Sequence, residues 1–158
     1  MKEVLFPYGK EKISYQFKDE ELAGLLESSI NDYSPELNAS ELIEEAIRNP
    51  VGCGRLSELA KEKKNIVIIA SDHTRPVPSK LIIPAVLKEI RSTNPDANIT
   101  ILIATGCHRD TTNAELTYKF GEKITADEHI CVHNCDDRKG IINIGKLPSG
   151  GDCEINSI

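Results

Sequence analysis

The chain has 158 residues, 39% of them hydrophobic and 28% charged, and a formal net charge of −6. That length can bury a real hydrophobic core, and the mixture is that of a globular protein, not a disordered one. An acidic chain without a clustered Lys/Arg stripe excludes a nucleic-acid footprint, so an anionic ligand would need a local positive site.

The first residues, MKEVLFPYGKEK, lack the apolar stretch of a signal peptide, and no apolar run approaches a membrane span, so the expected location is cytoplasmic. Residues 4–9 and 12–17 alternate apolar and polar side chains around a Gly-Lys-Glu turn, which predicts a β-hairpin. DEELAGLLESSI (19–30) leans towards helix, and NDYSPELN (31–38) carries the residues of a loop. ASELIEEAIRNP (39–50) predicts a helix with Ser40 as N-cap and Asn49-Pro50 as the stop. Ile43 then falls where a capping box would need Glu or Gln, so the cap is expected without its reciprocal partner. RLSELAKEK (55–63) supplies a further amphipathic segment.

From residue 65 the rhythm is strand, loop, helix, strand, loop, helix. Strands are predicted at 65–70 and 98–104, and helices at about 82–92 and 112–121, the second ended by Gly121. The runs 66–70 and 99–104 are almost continuously apolar, the pattern of parallel strands covered on both faces. EHICVH, GIINIGKL and CEINSI predict further short strands. The fold class is α/β: a parallel central sheet flanked by helices, with an N-terminal β-hairpin and short C-terminal strands. Residues 1–158 read as one α/β domain. Because CEINSI ends on an apolar strand with no polar tail, the domain is expected to be the N-terminal part of a longer polypeptide.

Two strand ends carry chemistry. NIVIIA runs into SDHTRP (71–76), and ITILIA runs into TGCHRD (105–110). Ligands of parallel sheets bind beyond the carboxyl ends of the strands, so on neighbouring strands Asp72, Arg75 and His108 would face one crevice. Arg75 offers a planar fork for a carboxylate or phosphate, stiffened by Pro76 and Pro78. Asp72 can accept from backbone amides, a ribose hydroxyl or Arg75. His108, just past Gly106, can take a proton and return it near neutral pH. Ser79 and Thr74 are candidate caps for the following helix, and Pro84 suits its first turn. Arg109 and Asp110 could orient His108 or simply be solvated. Cys107 is a conceivable nucleophile, with no second His and acid evident to activate it.

Plainer readings exist for each residue. A strand-end Arg often makes a surface salt bridge, and a lone His is often structural. His73 is expected to point away from Asp72 and to be structural, like His129 and His133. CVHNC (131–135) could be a metal knuckle, since His129, Cys131 and His133 would share one face of a strand. The preferred reading is a half-buried sheet edge with reduced cysteines and no metal. A non-catalytic α/β module binding an anion or nucleotide phosphate at the Asp72–Arg75 loop is the alternative to an enzyme.

SDHTRPVP (71–78) and ATGCHRDTT (104–112), with the weaker HNCDD (133–137) and GGDCEIN (150–156), resemble the signatures of the nickel-dependent lactate racemase family. The resemblance implies a two-domain α/β enzyme that interconverts the stereoisomers of 2-hydroxy acids. It implies a nickel pincer nucleotide, a pyridinium mononucleotide tethered to a lysine, as the acceptor of the substrate's C2 hydride. By motif position His108 corresponds to one of two acid/base histidines, Arg75 to the substrate-carboxylate anchor, and Asp72, with Arg75, to the cofactor-supporting network. The second histidine, the tethering lysine and the nickel ligand are then expected beyond residue 158. The implied partners are a small 2-hydroxy acid and the remainder of the same polypeptide.

Overall fold

The computed structural model describes residues 1–158, which form two compact units, Met1–Glu36 and Leu37–Ile158. In the first, β1 (Lys2–Tyr8) and β2 (Glu11–Phe17) pair antiparallel through a two-residue turn. Gly9, at φ +61°, supplies the left-handed conformation that the tight turn requires. Phe17 packs against Phe6 and sits edge-on to Tyr15 at 4.7 Å. The helix expected at 19–30 does not form; the only helical piece nearby is a 3₁₀ turn at Ser29–Asp32, capped by Ser28. Short helices depend on packing an apolar face, and here Leu25 and Leu26 are exposed while Gly24 weakens the segment further.

The second unit begins with α1 (Ala39–Arg48), and its N-cap is Asn38, not Ser40. Asn38 Oδ1 accepts from the Ser40 and Glu41 amides, and the Glu41 carboxylate accepts from the Asn38 amide at 2.9 Å. Starting the helix two residues earlier places Glu41, instead of Ile43, at the third position, so the capping box is complete. There follow α2 (Leu56–Ala60), β3 (Asn65–Ser71), α3 (Ser79–Arg91), β4 (Asn98–Ala104), α4 (Asn113–Phe120), α5 (Glu122–Asp127) and β5 (His129–Val132). An antiparallel pair, β6 (Ile141–Lys146) and β7 (Asp152–Asn156), closes the chain.

The order β3-β4-β5 is parallel, with Ile68, Ile101 and Ile130 aligned across the three strands. One sheet face carries Ile66, Ile68, Ala70, Ile99, Ile101, Ile103, Ile130 and Val132. It packs against Ile83, Leu87 and Ile90 of α3, Leu116 and Phe120 of α4, and Ile124 of α5. The apolar run of β3 predicted cover on both faces, but Val67 and Ile69 are 41% and 72% exposed. Full enclosure is confined to central β4; β3 is an edge strand whose even-numbered residues alone meet the helices.

α3 starts at Ser79, before the predicted position, so Pro84 lies inside the helix instead of in its first turn. Its missing N–H leaves the Lys80 carbonyl without an intrahelical bond. Pro78 occupies the N-cap position and no side chain caps the helix, which removes the capping role expected for Ser79 and Thr74. Gly121, at φ +90°, ends α4 as predicted and lets the chain restart as the unpredicted α5. No helix is long and apolar enough to cross a membrane.

Ile101 is fully buried on the packed face and Ile69 is largely exposed on the other. Urea unfolding should therefore show Ile101→Ala losing about 2–5 kcal/mol. Ile69→Ala should change stability by less than about 0.5 kcal/mol. Equal losses would mean that the second sheet face is also packed.

Candidate active site at the carboxyl edge of the sheet

Ser71 and Ala104 are register partners at the ends of β3 and β4, so the two loops that follow leave the sheet side by side. Asp72, the first residue of its loop, is only 2% exposed. Its Oδ1 accepts from the Thr74 amide at 3.1 Å and from the Thr74 hydroxyl at 2.7 Å. Its Oδ2 lies 2.6 Å from His108 Nδ1. The Thr74 hydroxyl bond, reinforced by His108 and the Thr74 amide, outweighs burial and holds the Asp72 carboxyl well below the usual carboxylate range. An ionised carboxylate can only accept, so Nδ1 of His108 must carry a proton. The Nε2 lone pair is thereby left for another partner on a side chain that is 46% exposed.

Three further contacts join the same two segments. His73 spans the loops: Nδ1 is 3.2 Å from Thr111 Oγ1, and Nε2 is 3.7 Å from Glu115. Glu115 accepts from both the amide and hydroxyl of Thr112, completing the capping box of α4. It also takes two bonds, at 2.6 and 2.9 Å, from the Arg109 guanidinium. Arg109 and then Thr112 hold the Glu115 carboxyl well below its usual range. Arg109 is thus neither an orienter of His108 nor merely solvated; it clamps α4.

Lys119, only 8% exposed, donates to the Arg75 carbonyl at 3.0 Å. Burial lowers its ammonium pKa, an effect partly opposed by the charge of Asp72. Sequence reasoning passed over Thr74, Glu115 and Lys119 as site residues. The signal for Lys119 was its place between Leu116 and Phe120, the two buried positions of α4.

Asp72 and His108 are therefore in direct contact. Arg75 reaches them through the backbone of the same turn, its amide donating to the Asp72 carbonyl at 3.4 Å. The Arg75 side chain is exposed and has no hydrogen bond or ion pair in the chain. It lines a groove of about 580 Å³ with His73, Pro78, Tyr118 and Lys119, while His108 lies outside that groove. Beside Asp72, the Ser71 hydroxyl is buried without a partner. His129 is hydrogen-bonded to Thr100, and His133 accepts from the Asn156 amide. No group of three or more His, Cys, Asp or Glu side chains is gathered in a way that could hold a metal ion.

A parallel sheet with a buried carboxylate bonded to a half-exposed imidazole beyond its carboxyl edge defines an α/β domain whose candidate site lies at the strand ends. Residues 8–158 match the family model described as the lactate racemase N-terminal domain, and the chain belongs to that family. It is 49% identical over 152 residues to a lactate racemase of Lactiplantibacillus plantarum, covering 96% of this chain and 36% of that one. Against a lactate racemase of Thermoanaerobacterium thermosaccharolyticum it is 46% identical over 158 residues, covering all of this chain and 37% of the relative. The solved structure of the lactate racemase apoprotein from that organism superposes with a TM-score of 0.88 at 45% identity, over 98% of this chain and 36% of that one. A Thermotoga maritima protein, at TM-score 0.54 and 20% identity over 71% of this chain and 25% of its own, shares the fold alone. The chain thus spans little more than a third of the length of the curated relatives it matches.

The lowered Asp72 pKa has a consequence for stability. From an ordinary value of 3.8 the folded carboxyl is depressed, so its contribution is present above that value and lost as the pH falls towards the folded one. Urea unfolding from about pH 5 down to about pH 2 should show a steep acid limb that is shallower in Asp72→Asn. Parallel limbs in the two proteins would mean that Asp72 is not held ionised by its partners.

Proposed function

We propose that this chain is the N-terminal catalytic portion of a 2-hydroxy-acid racemase or epimerase, in which His108 is one of two acid/base residues. The observation that carries this reading is the 2.6 Å contact between buried Asp72 and His108 Nδ1. With Nδ1 committed to the carboxylate, Nε2 takes the proton from the substrate's hydroxyl, and Asp72 stabilises the imidazolium that results. In the reverse direction the same nitrogen gives the proton back as the hydroxyl re-forms. Arg75, with no partner in the chain, holds the substrate carboxylate and fixes C2 relative to the base.

The lactate racemase resemblance implies a nickel pincer nucleotide, and the residues at this edge suit a polar nucleotide. Ser71 has a buried hydroxyl without a partner, and the Arg75 guanidinium is free. Asp72 and Arg75 would support that group, whereas its nickel ligands and lysine tether belong to the polypeptide beyond residue 158. When bound, it supplies the electrophile for the C2 hydride, which no amino-acid side chain provides. Racemisation also needs a base on the opposite face, assigned to the same missing portion.

The free Arg75 on its groove also favours a second reading, a non-catalytic module that captures an anion or nucleotide phosphate. That reading requires anion binding that survives His108→Ala and is lost in Arg75→Ala.

The test is chiral chromatography of 2-hydroxy acids with the full-length polypeptide loaded with the nickel pincer nucleotide. His108→Ala should lower kcat by roughly 10²–10⁴-fold with a smaller change in KM. Arg75→Ala should raise KM and lower kcat together, because its charge acts in both ground and transition states. The isolated 158-residue chain should not racemise. Unchanged turnover in both variants would overturn the assignment.

A further inference from the structure

The loop between β3 and α3 is held differently in its two halves. The first half closes on Asp72, which takes the Thr74 amide and hydroxyl and meets His108 Nδ1. The second half, residues 75–78, has fewer bonds to make, because Pro76 and Pro78 carry no N–H. The Arg75 amide returns to the Asp72 carbonyl at 3.4 Å, and the Ser79 amide donates to the Val77 carbonyl at 2.8 Å. Both of these bonds are local. A single hydrogen bond ties residues 75–78 to another part of the fold: Lys119 Nζ, on α4, donates to the Arg75 carbonyl at 3.0 Å.

An ammonium is a costly group to put there. Lys119 is 8% exposed and sits among the buried positions of α4, Leu116 and Phe120. An unbranched apolar side chain of similar length would fill that space without desolvating a charge. Lys119 forms no ion pair, and the Arg75 carbonyl is its one hydrogen-bond partner. The Arg75 side chain has no partner of its own, so the guanidinium stands where its backbone is held. Both residues line the same groove of about 580 Å³.

We propose that Lys119 is a positioning residue of the racemase site, whose bond to the Arg75 carbonyl fixes where the guanidinium meets a substrate carboxylate. The proposal rests on the reading of Arg75 as the carboxylate anchor. Lys119 acts through the backbone of residue 75 and leaves the carboxylate itself to Arg75. Without that bond the 75–78 segment keeps only its local contacts, and the substrate's C2 is presented to His108 in a spread of positions.

The test uses the full-length polypeptide with Lys119→Met, and Lys119→Gln as a second variant whose amide stops one bond short of the ammonium. Without cofactor, hydrogen exchange read by mass spectrometry should quicken in the peptide over residues 73–82 and stay unchanged over β4. Loaded with the nickel pincer nucleotide, either variant should lose roughly 10–100-fold in kcat/KM for a 2-hydroxy acid. Lys119→Arg, which keeps charge and donors, should recover part of that loss. Arg75→Ala combined with Lys119→Met should be within roughly twofold of Arg75→Ala alone, because the second change removes support from a group already gone. Losses that simply multiply would overturn the proposal, since they mean that Lys119 acts on something other than Arg75. Unchanged exchange at 73–82 would overturn it as well. Quickened exchange with Arg75→Ala kinetically silent would instead remove the carboxylate role of Arg75 and leave the tether standing.

Discussion

A buried carboxylate at the end of β3 has to find donors, because an isolated charge beneath two loops would cost more than the fold can tolerate. Asp72 finds three: the Thr74 amide, the Thr74 hydroxyl and His108 Nδ1. The first two close its own loop, and the third ties that loop to the next one. One charge therefore shapes both connections and sets the protonated nitrogen of the imidazole. The polar cluster of SDHTRP is thus explained: Asp72 organises, Thr74 supports it, His73 bridges, and Arg75 remains free.

The remaining contacts keep these loops in register with α4. Thr112 and Glu115 start that helix through their reciprocal cap, and Arg109 locks Glu115 from the second loop. His73 reaches Thr111 and Glu115 from the first loop, and Lys119 holds the Arg75 carbonyl from below. The site is accordingly preorganised by the helix that follows it, while the isoleucine-rich sheet beneath supplies a rigid base. The exposed components are the outer edge of His108 and the Arg75 guanidinium.

Family membership and the length of the relatives give this arrangement its setting. A domain matching 36–37% of each lactate racemase carries one acid–imidazole pair and one arginine without a side-chain partner in the chain. The motif residues that carry the resemblance are those that the structure finds in mutual contact at Asp72 and His108. Arg75 joins them through its turn, facing a groove that its side chain shares with Tyr118 and Lys119.

Local patterns were enough to read the parallel strands, the hairpin, the ending of α4 at Gly121, and the two polar loops at neighbouring strand ends. Strand periodicity and turn glycines act over a few residues, so the chain itself determines them. Tertiary structure decided the rest. Asn38 replaced Ser40 as a cap because the helix start depends on which frame completes both cap bonds. The segment at 19–30 stayed largely irregular because no surface packs its leucines, and Ile69 was left exposed because β3 lies at the sheet edge. Glu115 and Lys119 entered the site through partners 42 and 44 residues away. Hydrogen-bond partners that distant are chosen by the packing of α4 on the sheet, which no local pattern encodes.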